Sequence, residues 1–136
     1  LFKMDYKIRI IRYIYFFSLV GLLTLYLFPG SLIGYFLYGD FGQQPNLIDN
    51  PLGTSLNHFF ALFYLSMIGL ISFLKDKKFK RTLLFLLLLS IALEISHFII
   101  PNRSFEILDL LGNFFGFLSA YFIIFIYDKY KKNNPN

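Results

Sequence analysis

The chain has no cysteine and little charge: Asp, Glu, Lys and Arg make up 15% of its 136 residues, and only 8 residues are acidic. Without cysteine there is no disulfide framework and no thiolate chemistry, and thiols say nothing about compartment. No internal repeat or low-complexity tract breaks the sequence, so it reads as one domain's worth of chain. What it has in excess is apolar surface, 57% hydrophobic residues with 19 Phe and 10 Tyr. A soluble domain of this length could not hide that much, and the exposed remainder would aggregate. An integral membrane protein is the economical reading. The net charge of +5 does not point to nucleic acid, because the basic residues sit in short blocks beside apolar runs.

Four apolar segments, at about 10–28, 56–74, 82–100 and 106–127, approach the ~20 residues that cross ~30 Å of hydrocarbon as a helix. Pro29-Gly30 closes the first and Pro101 the third. The expected fold is all-α, a single transmembrane domain over 1–136 with four spanning helices and an outer loop at 29–55. Lys3, Lys7, Arg9 and Arg12 precede the first segment, as in a cleaved signal peptide, but no small-x-small site follows Phe28. An uncleaved anchor is expected.

Twelve of the 13 basic residues then share one face: the four just named, Lys75, Lys77, Lys78, Lys80 and Arg81, and Lys129, Lys131 and Lys132. The positive-inside rule makes that face cytoplasmic, with the N-terminus and C-terminus inside. Arg103 alone lies in an outer turn. The outer loop is long enough to suggest a task of its own. Its apolar piece 32–38 reads either as an interfacial segment or as a lid, and the tail 131–136 as a solvated end.

Orientation converts spacing into depth. His58 starts the second segment, Glu94 and His97 lie near the outer end of the third, and Asp109 and Asn113 near the outer end of the fourth. At ~1.5 Å per residue all fall within roughly 10 Å of the outer boundary. An ionisable group in a span costs at least a few kcal/mol unless paired or facing a cavity, so the cluster marks a candidate site. Glu94 and His97 share a helix face. Asp109, Asn113, Gly116 and Ala120 form one stripe, and Gly112 with Gly116 makes a Gly-x-x-x-Gly packing pair. Bland readings stand beside these. Arg103 could pair with Glu106 or Asp109, Glu106 could serve the helix dipole, Asn113 could bridge helices, and His58 could be a satisfied structural histidine.

The ordered set His58, Glu94-Ile95-Ser96-His97, Pro101-Asn102-Arg103 and Asp109 to Asn113 to Gly116 resembles the VanZ-like family of small bacterial membrane proteins, named for a teicoplanin-resistance protein. The resemblance covers about 56–120. It implies a multi-pass protein of the bacterial cytoplasmic (inner) membrane with a role in the cell envelope or in glycopeptide resistance, and no settled chemistry. Two positions depart from the family pattern: Thr54-Ser55 stands where many members have Asp-Lys, and His97 where they have Gln.

Three functions remain open at this stage. An outer-leaflet pocket could bind a lipid-linked or amphiphilic envelope molecule, such as a polyprenyl-phosphate, with Arg103, Asn113, His97 and Glu106 as ligand-binding residues. A membrane-embedded acid–base enzyme could use Glu94, Asp109 and His58 on a lipid headgroup. No cofactor is expected, and a single zinc held by His58, His97 and Glu94 or Asp109 is the metal alternative. A structural assembly subunit, with Gly112 and Gly116 as its partner surface, is the third.

Overall fold

The computed structural model describes residues 6–134; Lys3 of the first basic block and the last two residues of the tail lie outside the described residues. Within them the chain is all-helical, with α1 at Tyr6–Leu27, α2 at Leu32–Tyr38, α3 at Ser55–Phe73, α4 at Phe79–Ser96 and α5 at Ile107–Asn133. Three of these, α1, α3 and α5, are long and apolar enough to cross a membrane. The 18 residues of α4 include Lys80, Arg81 and Glu94, which sets it apart.

Four boundaries differ from the segments expected above, the first being that of α1, which begins at Tyr6 rather than Ile10. Helix α4 begins within the basic block and stops at Ser96 rather than Ile100, because the amides of His97, Phe98 and Ile99 each donate to a carbonyl three residues back. Those bonds tighten the last turn and end the α-helix. Helix α5 continues past Tyr127 to Asn133. The loop 29–55 contains α2, whose N-cap Ser31 accepts from the Gly34 amide at 2.9 Å. It ends at Gly39 with φ 72°, the left-handed conformation that closes helices without a Cβ penalty.

Helix α3 is the hub, packing most extensively on α5 and also on α1 and α4. Helix α4 in turn lies on α5 and reaches α1. The apolar core runs down the middle through Tyr15, Leu62, Leu65, Leu86, Leu93, Phe117 and Ile124. Ser66 and Gly69 keep the same face of α3 narrow. The outside is apolar as well, with Phe17 83% exposed and Phe16, Val20, Leu88, Phe122 and Phe125 on the surface. A helix bundle greasy both inside and out is built to meet lipid rather than water.

One end of the bundle is tied by charge. Arg12 of α1 donates to Asp76 at 2.5 Å and to the Ser72 carbonyl at 3.0 Å, and its guanidinium lies 4.4 Å from the centre of the Phe73 ring. The other end holds the polar residues.

Candidate functional site

Four helix ends converge there: the last turns of α1 and α4 and the first turns of α3 and α5. They bring together Tyr26, His58, Glu94, His97, Asp109 and Asn113, all buried, with Glu94 and Asn113 wholly inaccessible.

The His58 ring lies between two carboxylates. Its Nε2 is 3.3 Å from Asp109 Oδ2, and its Nδ1 is 3.7 Å from Glu94 Oε2, too far for a hydrogen bond. Asp109 is held from the other side by Ser55, whose hydroxyl donates to Oδ1 at 2.6 Å, with Thr54 at 3.5 Å from Oδ2. Glu94 is fixed through its second oxygen. Oε1 accepts from the Glu106 backbone amide at 3.0 Å and lies 3.2 Å from His97 Nδ1. This places a carboxylate at the start of α5, where unpaired amides and the helix dipole favour negative charge.

Both ring nitrogens of His97 face oxygens, Glu94 Oε1 on one side and the Tyr26 carbonyl at 3.1 Å on the other. Hydrogen bonds on both sides require a proton on each nitrogen, or one on Glu94 instead. His58 Nδ1, Glu94 Oε2 and Asn113 Nδ2 are buried without hydrogen-bond partners. Unpaired buried polar atoms are costly and rare in native interiors.

The remaining sequence candidates fall out as follows. Asn113 joins helices, accepting from the Tyr26 hydroxyl at 2.6 Å. Arg103 pairs with neither Glu106 nor Asp109 through a described ion pair. It donates to the carbonyls of Leu25 at 2.6 Å and Phe28 at 3.3 Å and to Gln44 Oε1 at 3.3 Å, closing the end of α1. Half-burial lowers its pKa, opposed by the fields of Glu94, Tyr26 and Asp109. The Glu106 side chain is exposed, and only its amide takes part. Gly112 and Gly116 face α3, where added Cβ atoms would strike the carbonyl oxygens of Ser55 and Phe59. Helix α5 can approach so closely only because these two residues have no side chain.

Beside the cluster opens a cavity of about 350 Å³ between α1, α2, α3 and the following loop. Its wall is apolar, with Leu22, Leu25, Leu32, Ile33, Ile48 and Ala61, and its polar groups include His58, Arg103, Gln44 and Asn57. The Asn57 amide donates to the Pro45 carbonyl at 3.0 Å, which pins the loop to α3. His58 thus belongs both to the buried carboxylate cluster and to the cavity wall.

Tyr26 and Ser55 were not among the sequence candidates. Ser55 was legible in principle, lying one helical turn from His58 on the same face. Tyr26 carries no such signal, being one tyrosine among many in an aromatic segment.

The VanZ/LLP1 family model matches residues 4–128, nearly the whole chain. No curated protein and no solved structure matches it. With a match of that extent, running through the residues that build the cluster, the chain belongs to the VanZ/LLP1 family.

Proposed function

We propose that the chain crosses a bacterial cytoplasmic membrane four times, with α4 as the fourth span, and holds an amphiphilic envelope molecule in the cavity beside His58. The polar cluster and cavity would face outward, and the basic blocks at the starts of α1 and α4 and the end of α5 would lie in the cytoplasm. Pairing of Glu94 and Asp109 with histidines and amides lowers the cost of carrying them in α4 and α5.

The observation that carries this reading is the cavity's make-up: apolar walls for a chain, with a guanidinium and an imidazole at the side for a head. Arg103 offers five N–H donors, of which three go to neutral oxygens. The remaining two suit a phosphate or carboxylate. A polyprenyl-phosphate or similar wall precursor fits that chemistry, as does a role in glycopeptide resistance through such a molecule. Native mass spectrometry of protein purified in mild detergent tests it. A lipid anion retained by wild type and lost from Arg103→Ala is expected, and equal retention by both overturns the reading.

A second reading rests on His58 itself. An imidazole beside Asp109 at one nitrogen and without a hydrogen-bond partner at the other has the groups a general base uses. Acid–base chemistry on the bound headgroup would use His58 and Glu94, with Asp109 orienting the ring. Conversion of a retained lipid by wild type but not by His58→Gln would favour it over binding alone.

A further inference from the structure

We propose that His58, Glu94 and Asp109 form a binding site for a divalent cation of the zinc class. The site goes beyond amphiphile binding and does not depend on it.

One donor atom from each of the three residues lies within 4.8 Å of the others, and all three residues are buried. Two candidate donor atoms, His58 Nδ1 and Glu94 Oε2, lack hydrogen-bond partners and lie 3.7 Å apart. Ligands about 2.0–2.1 Å from a tetrahedral zinc stand about 3.4 Å from one another, so this pair is already close to a coordination edge. The widest separation, up to 4.8 Å, must shrink by about 1.2–1.4 Å to reach a tetrahedral edge, a movement that rotation of the carboxylate side chains can supply.

The surroundings are those of a metal centre's outer layer. Ser55 holds the second oxygen of Asp109, and the Glu106 amide with His97 holds the second oxygen of Glu94. Each carboxylate is thus oriented while one oxygen remains turned toward the imidazole, as outer partners do at metal sites. Among the described residues no lysine or arginine is ion-paired with either carboxylate, so a divalent cation would offset charge that otherwise relies on the two histidines. One imidazole and two carboxylates suit zinc, iron(II) or manganese better than calcium, which takes six to eight oxygens. The cavity wall at His58 supplies an entry path.

The test uses the full-length protein in detergent, stripped with chelator, and titrated with Co²⁺ as a spectroscopic probe and Zn²⁺ as competitor. Wild type should take up about one cobalt per chain with visible d–d bands, displaced by Zn²⁺ and not by excess Ca²⁺. Asp109→Asn, which keeps the shape and the Ser55 contact, should weaken cobalt binding at least about 10-fold, and His58→Gln should abolish it. Arg103→Ala should bind cobalt at least as tightly as wild type, because it removes a positive charge that interacts with Glu94 and Asp109. Folded, helical wild type that shows no cobalt bands overturns the site, and so does equal binding by wild type and His58→Gln. Lipid retention measured on the same samples separates the two ideas, since Arg103→Ala should remove lipid without weakening cobalt binding.

Discussion

Tyr26 and Asn113 are 87 residues apart in sequence, yet the tyrosine hydroxyl donates to the Asn113 amide oxygen over 2.6 Å. That bond ties the end of α1 to the first turns of α5 inside a buried cluster, and Asn113 already has an unpartnered amide nitrogen. Tyr26→Phe would strip the oxygen of this partner while leaving the ring in place. A loss of about 1–3 kcal/mol is expected for orphaning a buried acceptor, read as a lower Tm in detergent. A Tm equal to wild type would show that the bond contributes nothing.

The glycines divide into two kinds. At Gly116 an added Cβ would meet the Phe59 carbonyl and the Phe63 amide, both rigid backbone, whereas at Gly21 in α1 nothing lies within 4 Å. Gly116→Ala should push α5 off α3 and lower Tm. Gly21→Ala should be neutral or stabilising by about 0.5–1 kcal/mol, the usual gain of alanine over glycine within a helix. Thermal melts of the two variants side by side check both signs. Because the glycine face is already occupied by α3 of the same chain, a role as an intermolecular partner surface has no support from this packing.

Much of the fold was legible because it follows from composition and periodicity. Long apolar runs could only be helices, and Pro29-Gly30 and Pro101 marked their ends. The family could be read from His58, Glu94, Arg103, Asp109 and Asn113 in order. What could not be read was anything set by three-dimensional approach. Whether Asp109 faces α3 or α4 depends on how far α5 rotates, and that is fixed by Gly112 and Gly116 against the Ser55 and Phe59 carbonyls. The bland alternative for Arg103 was a pairing with Glu106 or Asp109, because opposite charges attract. The carbonyls left bare at the end of α1 win instead. The last turn of α4 was expected to run to Ile100, yet it tightens after Ser96 and turns His97 inward toward Glu94.

The absence of native cysteine makes the orientation easy to test. Single cysteines placed at Gln44 in the loop after α2 and at Lys77 in the turn between α3 and α4 should label in opposite ways. An impermeant maleimide added to intact cells should reach the first, and reach the second only after lysis. Labelling of both from outside would contradict four crossings with the polar end outward.

The opposite end of the bundle carries a pH prediction. Asp76 has its pKa held below the ordinary 3.8, first by the hydrogen bond from the Lys78 amide and then by Arg12. A carboxyl with a depressed native pKa contributes stability that is full above the ordinary value and lost as pH falls through the native one. Wild type should therefore melt above Asp76→Asn at pH 6, and the gap should close as pH drops below about 4. A gap that persists in acid would mean that the Asp76 charge is not what stabilises the turn.

The central claim is that the cavity between His58 and Arg103 takes a lipid anion. The most direct measurement is the Tm of the protein in nanodiscs over a titration of a short-chain polyprenyl phosphate. A ligand that binds only the folded state stabilises it by about 2.7 kcal/mol at 100 times its Kd. The account predicts a concentration-dependent rise in Tm for wild type that is absent in both Arg103→Ala and the cavity-filling Ala61→Phe. A flat wild-type curve, or the same rise in all three proteins, would contradict it.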